Sequence, residues 1–494
     1  MTKVAAVVLA GNARDAVRDS RTAISKGADL SEVRLDQFDD LNSVVVRKLA
    51  SAVGSRTIAT LRTVGQGGTR GPPEAIRGSL LREMVSARFA YVDFEMEADA
   101  DQADPLRKIA NQRGTILIAS HHFSKPAEIG PVRDAIEACA AIGDIAKVAV
   151  PTADIEFAIQ LVDLARSEAG KKHRTVLIGT GIAGVITRAL ADDSGQEIQY
   201  ASWGPAAATG QLSLDVARRL RGRTPIVLGL VGHPIGHSIS PAIHEAALTA
   251  MDLPGVYLPF DIEPHALDGF LQAADRLRIR GLNVTIPHKE VIAEKLDELD
   301  GDAERLGAVN TIVISDGWTK GHNTDVFGFR LSLRSLGLRM GGRKALVVGA
   351  GGAARAVVDV LVREGATVEV TNRTFDRAEA LADVFDEPVD AVPLDALAKR
   401  GPWDLLVNAT PVGTAGTESR LPVAESILAK VGYVYDLVYN PRVTPLIEAA
   451  GRLGKPATSG LEMLLHQAAK SFELWTGRSP SVEAMRRAAK EALP

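Results

Sequence analysis

The stretch "IAKVAV", residues 145–150, sets five apolar residues around one lysine, Lys147. Its length and its Ile and Val content read as a buried β-strand. Alternation along a strand puts Lys147 on the same face as Ile145 and Ala149. A lysine there needs a carboxylate partner, a route for its head group back to water, or a chemical task. Similar runs recur on both sides: "VAAVVLA", "SEVRLD", "TIATLR", "YVDFEM", "TILIAS", "TVLIGT" and, more weakly, "EIQYASW". With "IAKVAV" they make eight strands separated by mostly helical segments, within about 220 residues, which suits a TIM (β/α)8 barrel.

The whole chain has 494 residues, too many for one core. Apolar residues make up 46 % and charged residues 24 %, the balance of a soluble globular protein. A net charge of −4 and the absence of a long basic run give nucleic-acid binding no electrostatic support. "RRLRGR", residues 218–223, reads as cations complementing a helix end. The single cysteine, Cys139, excludes a disulfide framework and a Cys-rich metal site, and no HExxH occurs among the ten histidines. The opening "MTKVAAVVLAGNARD" has an apolar run, Val4 to Ala10, too short to span a membrane and without a clear signal-cleavage region. A cytoplasmic protein with small-molecule partners is expected, without nucleic-acid or membrane partners. The sequence leaves oligomeric state open, and a homo-oligomer stays compatible with it.

Polar residues gather where the barrel strands would end: Glu32, Arg34, Arg62, Asp93, Glu95, His121, His122 and Lys147, with Arg188 after the seventh strand. Active sites of this fold occupy that face. Lys147 lies 25 residues after His122, one βα unit, so the two belong on neighbouring strands. Burial disfavours the charged form of a lysine, and a neutral amine can form a Schiff base with a ketone. The bland alternative is a lysine that snorkels or pairs with a buried carboxylate. The histidine one unit away and three arginines suited to a carboxylate substrate favour the Schiff base. A class I aldolase would also need a strand lysine.

On "EVRLD", "TLRTVGQGG", "VDFEME", "SHHF", "IAKVAV", "GVITR" and "GQLS", the first 215 or so residues resemble type I 3-dehydroquinate dehydratase. The resemblance implies that Lys147 forms an imine with the substrate ketone. It implies that His122 removes the adjacent proton and assists loss of hydroxyl, with Glu95 orienting it. Arg188 would hold the substrate carboxylate, and Glu32, Arg34, Arg62 and Gln211 the ring hydroxyls or carboxylate. The spacing of His122 from Ser120 selects it over His121. Phe123 follows where the family carries Asp or Asn, and Ala207 replaces a serine.

After "RGRTP" a new strand begins, which places a boundary near Gly222 to Pro225. Farther on, "KALVVGAGGAARAVVDVLV" reads as strand, glycine-rich turn and helix. Gly349, Gly351 and Ala354 supply the GxGxxA of a dinucleotide-binding turn. The next strand ends "VEVTNRT", with Arg373 where an NAD site usually carries an acid, which suits the 2′-phosphate of NADP. "GHPIGHSISPAIH", "GLNVTIPHKE", "GAVNTI" and "GHNTDVFGF" precede it in that order.

On these motifs the chain from about Ile226 onward resembles shikimate dehydrogenase. The resemblance implies that Lys289 and Asp325 form the catalytic pair, and that Ser238, Ser240, Thr285, Asn310, Tyr439 and Gln467 bind shikimate. It assigns Gly349, Ala350, Gly351, Gly352, Ala353, Ala354, Asn372, Arg373, Thr374, Arg377, Thr410, Gly460 and Met463 to NADP(H). Val326 stands where many members have glycine. The expected α/β architecture is a barrel over 1–222 and a shikimate-binding lobe over 226–338 with a C-terminal helical return at about 461–494. A Rossmann-like NADP-binding domain occupies 339–460. The two resemblances imply consecutive reactions, neither of which requires a metal. A quinate-preferring reductase, or a half serving only as a binding module, would be the alternatives; intact Lys147 and Lys289 speak against the latter.

Overall fold

Eight short strands build the first sheet: β1 (Lys3–Val8), β2 (Leu30–Arg34), β3 (Thr57–Thr60), β4 (Tyr91–Glu95), β5 (Ile116–His122), β6 (Ile145–Pro151), β7 (Arg174–Thr180) and β8 (Ile198–Ser202). The computed structural model describes residues 1–70, 74–169, 173–236, 238–385, 389–416 and 420–493. His237, inside one of the motifs above, and Pro494, the end of the expected C-terminal segment, lie outside them.

The sheet order is β7-β6-β5-β4-β3-β2-β1-β8, with helices between successive strands. The pairings β1–β2 and β1–β8 are parallel, as are β2 through β7 in turn. Beside β7 and β8, the Glu197 amide donates to the Thr175 carbonyl. Alternation then sorts the side chains. Ala5, Leu30, Ile58, Tyr91, Ile118, Ile145, Ala149, Val176, Ile178, Ile198 and Tyr200 form one apolar cluster inside the ring. Val33, Ala59, Val92, Leu117, Ala119, Ala146 and Val148 point the other way, into the layer shared with the helices. The eight expected strands are present, and Lys147 shares its face with Ile145 and Ala149. The arginines of "RRLRGR" follow the bland reading: Arg218 and Arg219 lie in the last turn of the helix Leu214–Leu220, and Arg221 and Arg223 pair with Asp29 and Asp252.

The second sheet contains β9 (Ile226–Gly232), β10 (Gly255–Asp261), β11 (Ile279–Val284), β12 (Glu298–Leu299), β13 (Thr311–Ser315) and β14 (Trp318–His322), in the order β10-β9-β11-β13-β14-β12. It is mixed, with β13 antiparallel to β11 and β14. The third contains β15 (Lys344–Val348), β16 (Thr367–Thr371), β17 (Val389–Ala391), β18 (Trp403–Asn408), β19 (Val431–Asp436) and β20 (Ala457–Ser459). Its parallel order, β17-β16-β15-β18-β19-β20, is the doubly wound arrangement whose switch point lies between β15 and β18. By compactness the chain forms two units. One is Met1–Val227 with Asp252–Phe260 and Gly269–Arg278; the other is Leu228–Met251 with Asp261–Asp268 and Ile279–Pro494.

In the second unit, the helix Leu461–Thr476 packs on β11, β13 and the helix Thr324–Ser335, and the helix Val482–Ala492 packs on Ser240–Ala250. His244 sits in that packing, fully buried, with its ring centroid 5.2 Å from that of Trp475. Burial pushes its pKa down to about 3, with a hydrogen bond to Asn283 opposing. An unfolded histidine titrates near 6.5, so the unfolded chain binds the extra proton. Stability from this residue is therefore complete above pH ~6.5 and falls by about 1.4 kcal/mol per pH unit as pH drops toward the folded value. Thermal melting of His244→Phe should show a shallower acid slope than the unsubstituted chain; equal slopes would reject this source of acid lability.

Candidate active sites

At the C-terminal ends of the barrel strands, Lys147 Nζ lies 2.8 Å from Asp93 Oδ2 and 3.2 Å from Glu32 Oε1. All three residues are buried, at 3 %, 1 % and 5 % exposure. The Tyr200 ring covers a further side, with its centroid 4.0 Å from Nζ. Lys147 has two carboxylate partners, so the nitrogen sits in a cage suited to positive charge, a pairing compatible with a chemical task. Such a cage is stable only if its anions are themselves satisfied. Asp93 also accepts from Ser120 Oγ at 2.6 Å and from Arg62, and Glu32 accepts from Thr60 Oγ1 at 2.9 Å. Burial raises the Asp93 pKa, but Arg62 and Lys147 outweigh it and hold the carboxyl below its ordinary range.

His122 stands beside this cage. In the β5–β6 register Ser120 faces Lys147 and His122 faces Ala149. Ser120 and His122 share the inner face, while His121 turns outward and packs edge-on against Phe123 with centroids 4.4 Å apart. His122 thus lies on the face of Ser120, as their spacing predicts. Arg62 Nη1 lies 2.9 Å from His122 Nδ1. Arginine only donates, so Nδ1 accepts and the proton of the neutral ring is on Nε2. Burial first, then Arg62, Lys147 and Arg34, push the His122 pKa well below 6.5, so the ring is neutral near pH 7.

One expected contact is replaced by another. Glu95 makes no hydrogen bond to His122 among the described residues. Its carboxylate accepts from the Thr63 amide at 2.8 Å, from Thr63 Oγ1 at 2.6 Å and from Arg62 at 3.4 Å, and so reaches the histidine only through Arg62. Arg34 is held bidentate by Asp36 at 2.7 and 2.8 Å. Arg188 is 6 % exposed, and its Nε has no hydrogen-bond partner among the described residues. Burial lowers its pKa to about 10, with Glu32 opposing. A buried guanidinium with a spare donor is suited to an incoming carboxylate. Gln211 Oε1 accepts from the Ala207 amide at 2.9 Å. Asp93 belonged to the sequence cluster without a role, and Tyr200 was missed. The available signals were the period-2 spacing of Asp93 with Glu95 and the aromatic residue in the weakest strand.

In the second unit Lys289 Nζ lies 2.5 Å from Asp325 Oδ2, and Asn310 Nδ2 donates to Asp325 Oδ1 at 2.8 Å. The Asn310 carboxamide is oriented from behind: its Oδ1 accepts from the Thr324 amide at 2.7 Å, which turns Nδ2 toward the carboxylate. Gln467 Oε1 accepts from Asn310 at 3.3 Å. Behind them Ser471, unforeseen from sequence, bonds Thr311 at 2.7 Å and Asn283 at 3.0 Å. Val326 is buried in the adjoining core without displacing Asp325. Ser238 Oγ accepts from the Ser240 amide at 3.2 Å and meets Tyr439. Thr285 contributes backbone bonds to Val231 and His288.

The glycine turn follows β15. Gly349 has φ +117°, and a Cβ on it would stand 2.9 Å from the Ala409 carbonyl, so only glycine fits. A Cβ on Gly351 would meet open space, while one on Gly352 would stand 3.2 Å from Lys289 Cβ. Ala350 and Ala354 are buried, Ala353 is half-buried, and the helix Gly352–Arg363 starts at this point. The turn thus forms a backbone cradle at a helix N-terminus, which fits a dinucleotide pyrophosphate. Arg373 and Thr374 are exposed beyond β16, and Asn372 Nδ2 donates to the Thr374 carbonyl at 2.8 Å. Arg377 is exposed and lies 3.8 Å from Glu290. Thr410 donates to Asn408 Oδ1 at 2.6 Å, Gly460 donates its amide to the Val438 carbonyl, and Met463 is buried in the nucleotide-domain core.

Comparison with known proteins follows the same division. Residues 4–222 match the family profile "Type I 3-dehydroquinase". Residues 230–312 match "Shikimate dehydrogenase substrate binding domain", 330–415 "Shikimate / quinate 5-dehydrogenase" and 460–490 "Shikimate 5'-dehydrogenase C-terminal domain". A shikimate dehydrogenase (NADP(+)) of Shouchella clausii is 44 % identical over 269 residues, covering 54 % of this chain and 98 % of that protein. The Thermus thermophilus shikimate 5-dehydrogenase, solved with NADP(H) and shikimate, is 40 % identical with a TM-score of 0.50, covering 54 % of this chain and all of that one. A Corynebacterium glutamicum quinate dehydrogenase solved with NAD is 36 % identical with a TM-score of 0.50, again over 54 % of this chain and 100 % of its own.

Because His121 and His122 face opposite sides of β5, their substitutions should separate. His122→Ala should slow dehydration by about 10²- to 10⁴-fold, the usual worth of a general acid–base group. His121→Ala should keep most of the rate. Steady-state dehydration of 3-dehydroquinate measures both, and the reverse order would exchange the two residues.

Proposed function

We propose, for a chain that belongs to the shikimate dehydrogenase family and carries a type I 3-dehydroquinase domain ahead of it, two consecutive reactions. The barrel, residues 1–222, dehydrates 3-dehydroquinate to 3-dehydroshikimate. The substrate lobe, 226–338 with 461–494, and the nucleotide domain, 339–460, reduce that product to shikimate with NADPH. The observation that carries this reading is that one chain contains two separate built lysine sites, Lys147 caged by carboxylates and Lys289 on Asp325. Each lies in a domain similar to an enzyme of one of these reactions.

In the barrel, the Lys147 amine attacks the ketone and the imine acidifies the neighbouring C–H. Arg188 offers its spare guanidinium donor to the substrate carboxylate, with Arg34, Gln211 and Glu32 near the ring hydroxyls. Substrate engagement of Arg62 releases His122 Nδ1, the lone pair that takes the proton; the Nε2 proton then serves the departing hydroxyl. Glu95 positions Arg62 and acts on His122 at one remove. The enamine returns its electrons as hydroxide leaves, and hydrolysis frees Lys147.

In the reductase, bound NADPH supplies the reducing electrons. Lys289 Nζ gives a proton to the oxygen of the substrate carbonyl, and Asp325 holds Lys289 in place and accepts from a substrate hydroxyl. Asn310 fixes Asp325, with Thr285 and Gln467 on the same side; Ser238, Ser240 and Tyr439 take the substrate carboxylate. The cradle Gly349–Ala354 would hold the pyrophosphate. Asn372, Arg373, Thr374 and Arg377 would hold the adenosine end, and Thr410, Gly460 and Met463 the remainder.

The purified chain given 3-dehydroquinate and NADPH should form shikimate. Lys147→Ala should stop that flux, and borohydride trapping on Lys147, while leaving shikimate oxidation by NADP⁺ intact. Lys289→Ala should stop at 3-dehydroshikimate. Near-normal dehydration by Lys147→Ala would overturn the imine.

A carboxylate at the end of β16 would repel a 2′-phosphate, whereas Arg373 offers a permanent charge and planar donors. Such a contact is worth about 1.5–3 kcal/mol, roughly ten- to a hundredfold in binding. Arg373→Ala should raise the NADPH KM by about that factor, change NADH use little and leave dehydration unaffected. Equal kcat/KM for NADH and NADPH in the unsubstituted chain would remove Arg373 from the cofactor site.

A further inference from the structure

The two carboxylates around Lys147 are not equivalent. Asp93 has both oxygens occupied: Oδ2 by Lys147 at 2.8 Å and Arg62 at 3.3 Å, and Oδ1 by Ser120 at 2.6 Å and Arg62 at 3.4 Å. An anion so completely hydrogen-bonded is a poor base. Among the described residues, Glu32 takes its hydrogen bonds from Thr60 at 2.9 Å and Lys147 at 3.2 Å, both on Oε1. The Tyr200 hydroxyl is buried with no hydrogen-bond partner among the described residues, so this residue presents Nζ with a ring face rather than a proton carrier. The other charged or titratable groups near the cage are Arg34 on β2, Arg62 on β3, Glu95 on β4 and His122 on β5, with Arg188 acting on Glu32.

We infer that the two carboxylates divide the imine chemistry: Glu32 takes the proton that Lys147 must lose and delivers it to the substrate oxygen, while Asp93 remains ionised as counter-ion to the cationic nitrogen. This division rests on the imine reading above. The Lys147 ammonium gives one proton to the Glu32 carboxylate, leaving a neutral amine. The amine lone pair forms the N–C bond as the carbonyl π pair moves to oxygen, and that oxygen takes the proton from Glu32. The nitrogen, now cationic, passes a second proton through Glu32 to the hydroxyl. Water departs with the C–O bond pair, and the remaining nitrogen lone pair makes the C=N bond. In total, ammonium and ketone become protonated imine and water, with charge conserved and no oxidant or reductant consumed. Asp93 faces positive nitrogen at the start and at the end, which is the role its four hydrogen bonds suit.

The experiment uses the full chain, 3-dehydroquinate and borohydride, quenched at increasing times, with the adduct on the Lys147 peptide measured by mass spectrometry. Shikimate oxidation by the same sample serves as the integrity control. Glu32→Gln should slow adduct formation by about a hundredfold at neutral pH and recover as the pH is raised, since hydroxide can then remove the proton. Asp93→Asn should slow adduct formation and turnover by about ten- to a hundredfold at every pH, because the cation loses its counter-charge. If Glu32→Gln does not fold, Glu32→Asp, with its carboxylate drawn back from Nζ, should show a smaller loss with the same alkaline recovery. Adduct formation at the unsubstituted rate in the Glu32 variant, or alkaline recovery in Asp93→Asn instead, overturns the division of roles. Absence of any adduct on Lys147 in the unsubstituted chain would instead overturn the imine itself.

Discussion

The barrel depends on one buried ion cluster. A lysine on the inner face of a strand would be intolerable in an apolar ring, and the ring answers it with Asp93 and Glu32 at hydrogen-bonding distance. Those anions in turn require donors, which explains why Thr60, Ser120 and Arg62 stand where aliphatic residues would otherwise fill the layer. One polar layer near the strand ends thus lies above an apolar one made by Leu30, Ile58, Tyr91, Ile118 and Ile145. The apolar layer supplies the packing, and the polar layer holds a nitrogen that no solvent surrounds.

The second unit meets a similar demand by other means. Asp325 is 6 % exposed and is satisfied by Lys289 and Asn310, and Asn310 is turned by the Thr324 amide. Behind it a chain of hydroxyls through Thr311, Thr324 and Ser471 ties β13 to the helices Thr324–Ser335 and Leu461–Thr476. Part of the site's rigidity therefore comes from a helix more than a hundred residues downstream. The glycine turn lies against the same site: a Cβ on Gly352 would stand 3.2 Å from the Lys289 side chain, a tight contact. The Lys289–Asp325 pair and the glycine turn are thus packed side by side.

Much of this was readable in the chain itself. The eight barrel strands follow from short apolar runs at regular spacing, and the inward direction of Lys147 follows from the period of a strand. The GxGxxA turn is legible because its constraint is local: Gly349 needs a positive φ that its own sequence neighbours reveal. That His122 shares a face with Ser120 while His121 takes the other also needed only alternation along one strand.

Partnerships were a different matter. Period and propensity decide which face a side chain occupies, but the stagger of strands around the ring decides whom it meets. That is why Asp93 and Glu32, 54 and 115 residues before Lys147, emerged as its partners only in three dimensions. The same stagger brings Glu95 to Thr63 and Arg62 instead of His122. The sequence by itself determined the folds and the residue types available for chemistry, because those depend on local backbone preference and periodic burial. Tertiary structure alone decided which charges neutralise one another, because that depends on distances of a few ångströms between segments far apart in the chain.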